Sequence, residues 1–284
     1  MLKNQLQVEV SSRKTPSTDI TIIDGSALLW VVHWSAGGTV KDYVANFRRH
    51  IENKLEKRDT YLVFDRYYDY STKGVTRSVR KSEASRVHQL NVNTQLPPQK
   101  VVLTVTENKK QLIDIICSEL KGDTAFHRDH IHKHKLVVTS QDKTPVEISN
   151  GGVIINRSDM DTTHEEADVV LVQQMLTVSR ENPAGITVVS DDTDVFVLLL
   201  HYYLEDGLTL LVSMESPIKD RVVVDIGKTV EKHQTLFQKS LLLTPFLVVT
   251  LLHAALALGK HCPQSRKMWN LCHFWAISTC HCQR

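Results

Sequence analysis

Three short apolar runs in this chain of 284 residues lead directly into acids: Asp19 to Asp24 (DITIID), Thr60 to Asp65 (TYLVFD) and Gly185 to Ser190 (GITVVS), the last followed by Asp191, Asp192 and Asp194. A short run with no polar alternation has no face to offer water, so each predicts a strand covered on both sides. Between them the apolar spacing turns helical. Val40 to Lys57 carries Val40, Tyr43, Val44, Phe47, Ile51 and Leu55; Glu107 to Lys121 carries Leu112, Ile115, Ile116 and Leu120. Thr163 to Arg180 reads as a helix opened by a capping box of Thr163 and Glu166. Further strands are predicted at Lys135 to Thr139, at Val146 to Ile155 around the turn signal Ser149-Asn150-Gly151-Gly152, at Leu208 to Ser213 and at Arg221 to Asp225. His127 to Lys135 (HRDHIHKHK) reads as a solvated polar linker. Strands alternating with helices predict an α/β fold with a mainly parallel central sheet flanked by helices on both faces.

Composition narrows the class. With 42% hydrophobic and 23% charged residues the chain is neither disordered nor, with 11 Gly and 8 Pro, collagen-like. A net charge of +2 does not by itself declare a nucleic-acid binder. The five cysteines are Cys117 and four from Cys262 onward, which is not the spread framework of a disulfide-stapled secreted domain. The polar start, MLKNQLQVEVSSRKTPSTD, has no apolar signal core. An intracellular setting, nucleus or cytoplasm, is expected, with residues 1–18 a flexible leader.

In parallel sheets, sites form beyond the carboxyl ends of the strands. Asp24, Asp65 and the Asp191 to Asp194 cluster stand at three such ends, and Glu165, Glu166 and Asp168 at a helix start. One Asp after a strand is ordinarily a turn residue or an N-cap. Several together repel unless a cation joins them, and an all-oxygen donor set selects a hard divalent ion, Mg²⁺ or Mn²⁺. Two such ions about 4 Å apart activate water and stabilise both oxygens of a phosphodiester displacement. The residues thus point to metal-dependent phosphoester hydrolysis. On a regular helix Glu165 lies about 60° from Asp168 and Glu166 about 200°, so either Glu166 precedes the helix proper or Glu165 is the ligand.

The motifs DGS at Asp24, VFD at Asp65, EEAD at Glu165 to Asp168 and SDDTD at Ser190 to Asp194 resemble, in this order, the PIN-like nuclease superfamily and within it the flap endonuclease (XPG-type) branch. They are also similar to a multi-copy group of animal proteins with a PIN-like core. The resemblance covers residues 19–225 and implies a PIN-like domain over residues 19–238. It also implies a nuclease acting on DNA or RNA, with catalytic and metal-binding Asp24, Asp65, Glu166, Asp168, Asp192 and Asp194. A non-catalytic nucleic-acid-binding scaffold is the alternative. The basic residues Lys73, Arg77, Arg80 and Lys81 recur at helical spacing, as phosphate contacts would, and the resembled family has a basic helical region at this place. Tyr67, Tyr68 and Tyr70 lie beside them. The family carries a later acid in a G-x-D context, whereas here Gly259 is followed by Lys260 and His261, and no Asp follows Asp225.

Residues 239–284 form an atypical tail. Leu241 to Leu258 is uncharged and just long enough for a membrane span, although Pro245, His253 and two Thr favour a helix buried against the domain. Cys262, Cys272, His273, Cys280, His281 and Cys282 match no standard zinc spacing.

Overall fold

A computed structural model of the chain describes residues 3, 6–10, 18–67, 86–181, 183–218 and 221–233. Lys73, Arg77, Arg80, Lys81, Tyr68, Tyr70 and the whole tail, including Leu241 to Leu258 and its Cys and His residues, lie outside them. Eight strands form one sheet: β1 (Ile20–Asp24), β2 (Asp59–Val63), β3 (Leu136–Thr139), β4 (Val146–Ser149), β5 (Val153–Asn156), β6 (Gly185–Val189), β7 (Leu211–Glu215) and β8 (Val224–Asp225). Their order is β5-β4-β3-β2-β1-β6-β7-β8. The five inner strands, β3 to β7 across that order, are mutually parallel. At the borders β4 and β8 run antiparallel to their inner neighbours, and β5 runs antiparallel to β4. The helices are α1 (Gly25–Val31), α2 (Val40–Leu55), α3 (Gln99–Thr104), α4 (Thr106–Gly122), α5 (Thr124–His130), α6 (Ala167–Ser179), α7 (Thr193–Glu205) and α8 (Ile226–Lys232).

The fold is α/β with two cores. Successive side chains of a strand point to opposite faces. Ile23, Leu62, Phe64 and Val138 join the core under α1 to α5, while Ile22, Tyr61, Val63 and Val188 join that under α6, α7 and α8. This double burial is why the strand runs carry apolar residues at consecutive positions. From β1 the chain builds outward through β2 and β3 on one side, then returns to place β6 on the other. The strand order therefore reverses between β1 and β6, the place at which sheets of this kind form their ligand crevice at the carboxyl ends.

Several elements differ from the sequence reading. The expected polar linker at His127 to Lys135 is half helix: α5 runs to His130, and His127 is buried with its Nε2 2.7 Å from the Leu120 carbonyl oxygen. The expected strand at Val146 to Ile155 is a hairpin, β4 and β5, turning through Gly151 and Gly152, both at positive φ. The strand expected at Leu208 to Ser213 starts at Leu211 and runs to Glu215, and that at Arg221 to Asp225 is two residues long. Residues of the expected leader pair along β8: Val10 N donates to the Val223 carbonyl and Asp225 N to that of Val8.

The helix expected from Thr163 begins at Ala167, and the Thr163/Glu166 capping box does not form. The reason is Arg66, whose side chain is fully buried. Its guanidinium donates to the backbone carbonyls of Ser140, Lys143, Thr162 and His164, and its own N–H to that of Glu165. Carbonyls taken by Arg66 are not available to a first helical turn, so residues 162–166 stay outside the helix. Arg66→Leu leaves these buried acceptors unpaired, and we expect it to cost about 3 kcal/mol or more, read by urea denaturation; a loss under about 1 kcal/mol would refute the role.

Candidate metal centre

Asp24 ends β1, and Ser190 stands opposite it at the end of β6 because the two strands pair in parallel register from Ile20 and Ile186. The carboxylate of Asp24 caps α1: Oδ1 accepts from Ala27 N at 2.9 Å, and Oδ2 accepts from Ser190 Oγ at 3.3 Å. The glycine of DGS has a steric reason, since a Cβ on Gly25 would lie 2.5 Å from Phe64 Cε1. Asp192 caps α7 by accepting from Asp194 N at 2.8 Å, and Asp192 N donates to Ser190 Oγ at 3.1 Å. Ser190 thus ties the ends of β1 and β6 together.

Asp65 lies two residues beyond β2. Its Oδ1 accepts from Ala167 N, the first N–H of α6, at 3.1 Å, so a carboxylate from another strand does the work of the missing N-cap side chain. Its Oδ2 accepts from Ser26 Oγ at 3.1 Å and Tyr67 OH at 3.4 Å, and lies 3.5 Å from Lys109 Nζ. The anchoring of α6 by Asp65 sets Asp168 on the first turn, facing α7.

Carboxylate oxygens of Asp168, Asp192 and Asp194 lie within 4.8 Å of one another, all three residues half-buried. Among the described residues this is the one such group. Asp24 and Asp65 fall outside it but share its field. Burial raises the Asp168 pKa to about 8, with further contributions from Asp192, Asp24, Asp65 and Asp194. Burial also raises Asp24 to about 6, and Asp65 adds to this; Ala27 N, Lys109 and Ser190 oppose it. An all-carboxylate donor set that penalises its own ionisation fits a hard divalent cation.

Of the acids expected at the site, the structure places Asp24, Asp65, Asp168, Asp192 and Asp194 in one electrostatic neighbourhood. Glu166 is the N-cap residue of α6 with extended backbone, so helical angles do not apply to it or to Glu165, and neither belongs to the triad. Asp191 turns away to Ser216 Oγ at 2.7 Å and Arg221 Nη1 at 2.8 Å. The four histidines of the 127–134 stretch form no such group, and His134 pairs instead with Asp59.

Lys109 was not among the expected residues. It stands on α4 in step with buried Leu112, Ile113 and Ile116, and a lysine on an apolar stripe was the available signal. Ser26 and Ser190 stood inside the quoted motifs without being assigned their carboxylate contacts. Compared with known proteins, the sequence matches no protein-family model and no curated protein.

Both raised carboxyls favour the fold in their protonated form. That contribution is complete below about pH 4 and is lost as pH rises through about 6 for Asp24 and about 8 for Asp168. In EDTA the melting temperature is expected to fall as pH rises across this range, and Mn²⁺ to raise it more at the alkaline end. Asp168→Asn should flatten the upper part of the fall; an unchanged melt profile in that variant would contradict the assignment.

Proposed function

We propose that this chain is a PIN-like, divalent-metal-dependent nuclease that hydrolyses phosphodiester bonds of DNA or RNA. The observation that carries the reading is the convergence of Asp168, Asp192 and Asp194 at the point where the strand order reverses. These three would hold the ion, Mg²⁺ or Mn²⁺ by the hardness of the donors. Bound there, the ion would polarise a phosphoryl oxygen and make water a better nucleophile near neutral pH. The second ion expected from the sequence would have to draw on Asp24 and Asp65.

The chain's own groups suit this chemistry. Asp24, pushed up to about 6, is ionised at neutral pH yet basic enough to take a proton from attacking water. Ser190 and Ala27 N fix its two oxygens. The segment carrying Lys73, Arg77, Arg80 and Lys81 departs at Tyr67, which bonds Asp65, and resumes at Arg86, whose carbonyl accepts from Asn108 Nδ2, next to Lys109. Its leading end is therefore fastened beside Asp65, which supports a phosphate-contact role for the basic residues. Among the described residues no helix is long and apolar enough to cross a membrane; the membrane reading of Leu241 to Leu258 lies outside them.

The test is cleavage of labelled single-stranded, duplex and 5′-flap DNA and RNA by the full chain with Mn²⁺ or EDTA. We expect Mn²⁺-dependent cleavage that falls about a hundredfold or more in Asp192→Asn with little change in the melt. Full activity in that variant would overturn the assignment. The late acid replaced at Lys260 and His261 favours one other reading, a scaffold that binds nucleic acid without cutting it; binding without cleavage by folded wild-type protein would establish that instead.

A further inference from the structure

The carboxylates of the crevice divide into two sets with different surroundings. Asp168, Asp192 and Asp194 face one another, whereas Asp24 and Asp65 fall outside that group. Asp65 is already heavily solvated by protein. Oδ2 has Ser26 Oγ, Tyr67 OH and the Lys109 ammonium around it at 3.1, 3.4 and 3.5 Å, and Oδ1 accepts from Ala167 N. A carboxylate oxygen offers about two lone-pair positions, so Oδ2 has little left to give a metal ion. Asp24 accepts one bond at each oxygen, from Ala27 N and from Ser190 Oγ.

Lys109 is the cation on this side. Its side chain is only 14% exposed, and its ammonium sits 5.7 Å from the centre of the Tyr67 ring while it faces Asp65. The chain leading to it rises from the first turn of α4, whose neighbouring Asn108 is buried and bonded to His88 N and the Arg86 carbonyl. The ammonium is thereby confined between a ring face and a carboxylate. A dication shared by Asp24 and Asp65 would have to compete with the donors around Asp65 Oδ2 and face a positive charge at short range.

Resting on the metal-centre reading above, we infer that Lys109 stands in the electrostatic place of a second divalent ion, so that the crevice takes one ion per chain, on Asp168, Asp192 and Asp194. Lys109 then offsets part of the charge of Asp65. Lys109 is a positioning residue: it keeps Asp65 in place as the anchor of α6, so that metal binding falls to the triad.

Calorimetric titration of the full chain with Mn²⁺ tests this. Wild type should take up one ion. Lys109→Met keeps the length and packing of the side chain without its charge and should gain a second binding event; Lys109→Arg should stay at one. Two ions in wild type, or one in Lys109→Met, overturn the inference while leaving the metal centre intact. No Mn²⁺ uptake by folded wild type overturns both. Should Lys109→Met fail to fold, as judged by circular dichroism, electron paramagnetic resonance of wild type saturated with Mn²⁺ decides: magnetically isolated ions support the inference and a spin-coupled pair refutes it.

Discussion

Asp24, Asp65, Asp168, Asp192 and Asp194 carry like charge into one end of a sheet whose strands are buried on both faces. In such surroundings a carboxylate persists only if donors or cations compensate it. Much of the local architecture is that compensation. Helix N-termini are aimed at the acids: α1 at Asp24, α6 at Asp65 and α7 at Asp192. Ser26 and Ser190 supply hydroxyl donors, and Lys109 supplies a full charge. What this arrangement does not neutralise is concentrated on Asp168, which burial and four acidic neighbours leave reluctant to ionise.

The sheet and its two layers were legible because their signal is local. A strand buried on both faces has to be apolar at consecutive positions, and the runs ending at Asp24, Asp65 and Ser190 have that property. The helix over Val40 to Leu55 was legible for the same reason, with six buried residues at helical spacing. The start of α6 was not, because it is decided by Arg66, a residue a hundred positions earlier whose guanidinium takes the carbonyls a first turn would need. Nothing within the Thr163 to Asp168 sequence announces that competition. The helix at Thr193–Glu205 was equally missed, its apolar residues lying too close together to show one face.

The same division holds for the site. Strand-end acids could be found in the sequence, since topology alone carries them to one edge. Which of them face one another depends on the helix starts, and that required the positions of Ala167 and Thr193. Glu165 and Glu166 illustrate the limit: their place in the motif is plain, but extended backbone before α6 separates them from the rotation that sets Asp168. Lys109 illustrates the converse, a functional candidate hidden inside a helix whose apolar residues signal only the core.

The two borders of the sheet are finished differently. At β8 the chain covers its own edge, with Val8 and Val10 bonded alongside. At the other border β5 exposes Val153, Ile154 and Ile155, with neither charge nor proline in the strand. Among the described residues no strand pairs with its outer edge, and an open edge beside exposed branched side chains is the feature on which foreign strands assemble. The hairpin counters this by brevity, since four residues give a visiting strand few rungs to hold. Among the described residues, this corner therefore carries the features that favour self-association, far in the strand order from the acids of the proposed site.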